Sequence, residues 1–256
     1  MNPNQRGFYT LLKKEVMRFW AVLGQTVSAP VITALLYLLV FAQALKGRTV
    51  SGYEGIDYTQ FLVPGLVMMT VIQNAFANTS SSLIQSKVMG NIVFTLMAPL
   101  GPIEWFGAYI LAALVRAALV ATAMLTVTLL FVRLPVEAPL ALFAVFLLAA
   151  ASLASLGIIA GLWAQKFDQI AAFTNFIVTP LSFLSGVFYS VHSLPKFWYT
   201  ASHLNPFFYM IDGFRYGFFG HADVPISHSL MWISGFFVLV SGIAYWMLHT
   251  GYRMRK

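Results

Sequence analysis

The chain has no cysteine, so disulfides and thiolate metal sites are excluded from the outset. Charge is scarce: Asp, Glu, Lys and Arg make up only 9% of its 256 residues. A soluble domain carries roughly 25%, because its surface must be solvated. With 59% hydrophobic residues and a mean hydropathy of +0.79, lipid must cover much of the surface. Catalytic signatures are missing too. The sequence holds no His-Glu-x-x-His, Gly-x-Gly-Asp or Gly-x-Ser-Gly run, and no Gly-Lys-Ser or Gly-Lys-Thr that would mark a nucleotide-binding P-loop. No residue is assigned a catalytic, cofactor-binding or metal-binding role, and the chain is read as a non-enzyme. His192, His203, His221 and His228 share loops, but their spacing fits no metal signature, and they read as interface histidines. The net charge of +7 does not point to nucleic acid, because the basic residues sit at the ends of apolar stretches, as cationic cytoplasmic loops do.

What is present is a series of long apolar runs. Six qualify as membrane spans, at roughly 22–45, 61–84, 105–131, 139–164, 170–190 and 229–250, each near the twenty or so residues needed to cross. Residues 1–256 read as one all-α integral membrane domain, with no linker and no convincing repeat. The first run exceeds the short apolar core of a signal peptide, so it is expected to stay as a span. Placing the N-terminus inside puts Arg6, Lys13, Lys14, Arg18, Lys87, Lys166, Arg253, Arg255 and Lys256 in the cytoplasm. Lys46, Arg48, Arg133, Lys196 and Arg215 then fall outside. The cationic bias favours both termini inside.

Three segments between the spans carry more information. In 8–20, Phe8, Leu11, Leu12, Val16, Phe19 and Trp20 recur at helical spacing, with Lys13, Lys14 and Arg18 opposite. That pattern predicts an amphipathic helix lying in the cytoplasmic interface, or else a cytoplasmic extension of the first span. In 86–104, Lys87, Gly90, Asn91 and Glu104 frame an apolar interior, Ile92 to Leu100. It is too short to span and too apolar for a solvated loop. It either packs beneath the bundle or meets a protein partner. In 192–228, Asn205 and Pro206 read as helix cap and first residue. The aromatic helix they start is too short to cross, so it is expected to dip into the outer leaflet as a re-entrant helix before the last span. Asp212 and Arg215, three apart, are placed to form an ion pair.

Polar residues inside the spans are few. Arg116 is the one charge, and needs a polar face or a backbone carbonyl as its partner. It serves as an anchor or contacts substrate. Asn74, Asn78, Ser81 and Gln85 form one stripe, and Asn175, Thr179, Ser182, Gly186 and Tyr189 another. Such stripes hold helices together or line a pathway; Asn74, Asn78, Asn175, Thr179 and Ser182 are the candidate lining. Gly157-x-x-x-Gly161 marks a face for close helix packing.

The run Leu204-Asn205-Pro206-Phe207-Phe208-Tyr209-Met210-Ile211-Asp212-Gly213-Phe214-Arg215-Tyr216-Gly217 resembles the signature of ABC type-2 transporter permeases. Phe61-Leu62-Val63-Pro64-Gly65-Leu66 is similar to the opening of their second span, and Met97-Ala98-Pro99-Leu100 to the end of their first cytoplasmic loop. The resemblance covers essentially the whole chain and is strongest to bacterial multidrug-type and nodulation-type export permeases. It implies two six-helix halves, from a second copy of the chain or a paralogous permease, working with two separate ATPase subunits in the bacterial inner membrane. It also implies that the amphipathic helix and the loop after the second span dock on the ATPase, and that the short outer helices cap the pathway. Asn91, Phe94 and Leu96 then become candidates for coupling to the ATPase. Many relatives carry Gly-Thr followed by Glu in this loop, where the present chain has Asn91-Ile92-Val93-Phe94-Thr95. The Glu-Ala-Ala motif of importers is missing, so the resemblance points to export of a hydrophobic, amphiphilic or glycan-like substrate. A secondary carrier or a lipid-handling membrane protein, independent of ATP, is the alternative, and the lack of acids within the spans counts against it.

Overall fold

The computed structural model describes residues 3–44, 49–50, 52–98 and 100–254. Lys46, Arg48, Pro99, Arg255 and Lys256 lie outside the described residues. The chain is an all-α membrane protein. A first helix, α1 (Pro3–Trp20), turns directly into α2 (Leu23–Ala44). A small hairpin of β1 (Thr49–Val50) and β2 (Tyr53–Asp57) leads into α3 (Tyr58–Val88), the short α4 (Ile92–Met97), α5 (Pro102–Thr128) and α6 (Pro139–Trp163). Among the described residues, five helices are long and apolar enough to cross a membrane: α2, α3, α5, α6 and the last, spanning Ile226–Thr250.

The fifth expected span, 170–190, is not one continuous helix. It is built from α7 (Phe167–Phe173), a π-helical segment (Thr174–Val178) and α8 (Thr179–Phe183), and ends in turns. Pro180 has no N–H for the carbonyl four residues earlier, so the regular ladder cannot run through it. The wider π turn takes up the mismatch. Gly186, with φ +74°, then reverses the chain in a left-handed conformation that favours glycine.

The core is built around α3. Its 31 residues make about 46 Å of helix, and it is buried for most of that length against α6, α5, α2 and an aromatic helix near the C-terminus. The Gly157 and Gly161 pair faces α3. A Cβ on Gly157 would run into the Thr79 hydroxyl and the Phe76 carbonyl, and one on Gly161 would lie 2.7 Å from the Leu83 Cβ. This small-residue seam lets two helices approach within one chain. Thr79 Oγ1 strengthens it by donating across to the Ala154 carbonyl at 2.8 Å.

The segment before the last span holds α9 (Lys196–His203) and α10 (Pro206–Phe219), followed by α11 (Ile226–Thr250). The predicted cap is in place: Asn205 Oδ1 accepts from the Phe207 N–H at 3.0 Å, and its Nδ2 donates to the Leu181 carbonyl at 2.7 Å. Gly220, with φ +71°, closes the helix. The short aromatic helix expected before the last span is α10, and it is packed against protein, as a helix re-entering the membrane must be. Every residue except Pro206 and Tyr216 is buried, with α6, α11 and α3 around it. Its aromatic rings serve as core. The exposed aromatics of this region belong to α9, where Phe197 and Trp198 face outward.

Candidate functional site

Three places concentrate the residues singled out from the sequence. The first is the end of the bundle where α1, α4 and the C-terminal tail gather. Gly90, at φ +74°, turns the chain out of α3. Ile92 is buried and anchors α4, while Phe94 and Met97 are 74% and 78% exposed and Val93 also faces out. A groove of about 770 Å³ on one flank is lined by Arg6, Leu11, Lys14, Asn91, Phe94 and Leu100. One of about 820 Å³ on the other is lined by Lys87, Val93, Leu96, Met97, Gln165 and Arg253. Asn91 and Phe94 thus line the first groove and Leu96 the second.

The floor beside this surface is cross-braced. Lys87 Nζ donates to the Leu162 and Ala164 carbonyls at 2.7 and 2.5 Å, and Arg253 Nη1 to the Trp163 carbonyl at 3.0 Å. These cations cap the last turn of α6, where unpaired carbonyls and the helix dipole favour positive charge.

The second place is a polar node inside the bundle. Glu15 is fully buried, with Lys14 Nζ at 3.3 Å and Arg18 Nε at 3.2 Å from its carboxylate oxygens. Arg18 also donates to the Asn78 carbonyl at 2.7 Å and to Asn78 Oδ1 at 3.2 Å. Arg18 was expected on the solvent side of α1; it turns inward because Glu15 and Asn78 offer acceptors there. Trp20, expected on the apolar side, is 51% exposed instead. Phe8 lies against Gly107 of α5, and Leu11 and Phe19 are buried, so the apolar face of α1 is covered by protein. Sequence reasoning missed Glu15, although an acid three residues before Arg18 on a cationic helix was the available sign.

Arg116 sits one helix further in, and its Nη2 donates to Asn74 Oδ1 at 3.0 Å. The expected polar-face partner is thus a side-chain amide of α3. Asn74 and Asn78 are both buried and each holds an arginine. The second stripe does not assemble. Asn175 is exposed, Thr179 half-buried, and Ser182 buried with its hydroxyl donating to the Val178 carbonyl. The π turn between Asn175 and Thr179 adds a residue to that turn and breaks the face that α-helical spacing would have given.

The third place is the far end of the bundle, around α10. The expected ion pair between Asp212 and Arg215 is not formed. Among the described residues, salt bridges within 4 Å join Glu15 to Lys14 and Arg18, and His192 to Asp223. The Asp212 carboxylate instead accepts from the backbone N–H groups of Asp223 and Val224, at 2.8 and 3.1 Å, and from Tyr53 Oη at 3.4 Å. Burial and the nearby Asp223 carboxylate push the Asp212 carboxyl above its usual range, against those N–H groups and Arg215. Arg215, fully buried, donates from Nη2 to the Gly186 carbonyl at 3.0 Å and lies 3.7 Å from the Phe61 ring centre. A backbone turn and an aromatic face take the charges that the two were expected to share. Gly65 makes room for this: a Cβ there would lie 2.9 Å from the Val187 carbonyl oxygen and 3.1 Å from Arg215.

Comparison with known proteins fits this architecture. Residues 6–219 match the family model described as ABC-2 type transporter. The chain is 37% identical over 243 residues to the "Inner membrane transport permease YadH" of Escherichia coli, covering 95% of this chain and 94% of that protein. The protein of the same name from Shigella flexneri matches to the same extent. "Nodulation protein J" of Rhizobium leguminosarum bv. trifolii is 27% identical over 206 residues, 75% of this chain and 73% of that one. The chain belongs to the ABC-2 type transporter family of membrane transport permeases.

Proposed function

We propose that the chain is the membrane-spanning permease subunit of an ATP-driven exporter in a bacterial inner membrane, with both termini in the cytoplasm. The cargo is hydrophobic, amphiphilic or glycan-like and leaves the cytoplasm. Two separate ATP-binding subunits supply the energy, and a second copy of the chain or a paralogous permease completes the pathway. The supporting observation is α4. A six-residue helix anchored by Ile92 offers Phe94 and Met97 to the outside between two grooves. Exposed apolar patches bordered by cations are surfaces for protein partners. Because α4 follows α3 through Gly90, a push on it reaches the helix at the centre of the bundle. The sequence has no P-loop lysine to act on ATP itself.

The alternative is a carrier that runs without ATP, through protonation of acids in the membrane. Buried Glu15 would be its natural centre, but Lys14 and Arg18 both hold its carboxylate, which favours a brace over a relay. The test is Phe94→Asp, expressed with the ATP-binding subunit. The variant is expected to insert and remain folded while losing ATPase retention and transport. Wild-type retention together with wild-type transport would overturn the proposal.

A further inference from the structure

Arg116 lies near the middle of α5, a helix of 27 residues that is long enough to cross the membrane. A cation at that depth costs at least ~2.5 kcal/mol on insertion scales, so it needs compensation. The chain gives it little. Its hydrogen bond goes to the neutral amide of Asn74, and its buried Nε has no partner. Among the described residues no carboxylate pairs with it. Arg18 is itself neutralised by Glu15; Arg116 is not.

Asn74 also forms part of the wall of a crevice of about 150 Å³ between α2 and α3. Thr33, Tyr37, Thr70 and Gln73 bring polar groups to that crevice, and Leu66 and Met69 an apolar wall. The Asn74 Nδ2 is already used by the Thr70 carbonyl and its Oδ1 by Arg116. Gln73, half-buried, makes no hydrogen bond among the described residues and has its amide N–H groups available. A crevice with free donors, an uncompensated cation behind its wall and an apolar side matches a molecule with an acidic head and an apolar tail.

We propose that this crevice binds the acidic head of an amphiphile, with Gln73 as a direct donor and Arg116 as the counter-charge acting through the Asn74 wall. Such a molecule is either a resident anionic lipid or the cargo. The second possibility rests on the permease reading; the binding itself does not.

The full-length protein, purified without any ATP-binding subunit in a neutral maltoside detergent, would be titrated with lysophosphatidylglycerol and, separately, with zwitterionic lysophosphatidylcholine. Thermal unfolding reports the binding. The anionic probe is expected to raise the midpoint saturably and the zwitterionic one to leave it nearly unchanged. Arg116→Gln should abolish the preference and Arg116→Lys should keep part of it. If Arg116→Gln does not fold, Gln73→Leu, which removes no structural hydrogen bond, should weaken the anionic probe by about tenfold, the scale of one hydrogen bond to a charged group. Equal effects of the two probes on the wild type, or a preference unchanged in Gln73→Leu and in any folded Arg116→Gln, would overturn the proposal. Mass analysis after transfer into nanodiscs separates the sources: a retained anionic lipid marks a resident, free exchange marks cargo, and either outcome has the site occupied. Phe94→Asp should leave this binding intact, so loss of the coupling surface and loss of the crevice are told apart.

Discussion

Two short helices in this protein, α4 and α10, start from similar sequence character and end in opposite places. Both are apolar, both lie between spans and neither is long enough to cross. The 14 residues of α10 have a capping Asn205, a closing Gly220 and glycines on the face that meets the bundle. Every such device fixes it to the chain's own core. The six residues of α4 have no side-chain cap, and Phe94 and Met97 stand away from the bundle. A helix whose polar ends and apolar faces are all satisfied internally is structural. One left open at both is available to a partner.

The contrast can be attacked first at Gly217, on α10. A Cβ there would meet the Leu142 Cβ and lie 2.8 Å from the Leu142 Cα. Gly217→Leu is therefore expected to exceed the usual 1–3 kcal/mol of overpacking and to leave no monodisperse protein on size exclusion. A smaller loss is expected from Asp212→Ala, which strands the half-buried N–H groups of Asp223 and Val224. At about 1–3 kcal/mol for each stranded donor, the unfolding midpoint in detergent should fall clearly while some folded protein remains.

Smaller again is the coupling between Asp212 and Arg215. With no direct bond between them, a double-mutant cycle of Asp212→Asn and Arg215→Met is expected to give about 1 kcal/mol or less. A directly paired buried charge would show ~3–5 kcal/mol on losing its partner. The smallest effect on stability belongs to α4: Phe94→Ser should lie within about 0.5 kcal/mol of wild type, as exposed substitutions do. A large loss there would mean that α4 is part of the core, and the comparison would fail.

The sequence made the helical membrane class legible, along with the cap at Asn205 and Pro206 and the unusual segments at 8–20 and 86–104, because each rests on local pattern. What it could not show depends on which groups meet across the bundle. Asp212 and Arg215 are well spaced to pair, yet loop N–H groups at 223 and 224 and the carbonyl of Gly186 lie closer to hand. Arg18 follows the cationic face of α1 by position but turns toward Asn78, sixty residues away in sequence. The Asn175, Thr179 and Ser182 stripe assumed 3.6 residues per turn, and the π turn at Thr174–Val178 breaks that assumption. Whether the Gly157 and Gly161 face joins two copies or two helices of one chain was equally invisible; contact with Phe76 and Leu83 settles that these glycines pack within the chain.

The absence of native cysteine permits the most direct test of the central claim that α4 is held open for an ATP-binding subunit while α10 is sealed into the fold. Phe94→Cys and Phe208→Cys would each be treated with a membrane-impermeant maleimide in intact cells, in opened membranes, and in opened membranes with the ATP-binding subunit bound. Phe94→Cys should react only after opening and be protected by the bound subunit, and Phe208→Cys should stay silent until the protein is unfolded. Labelling of Phe94→Cys from outside intact cells, or at the same rate with and without the subunit, would contradict the account.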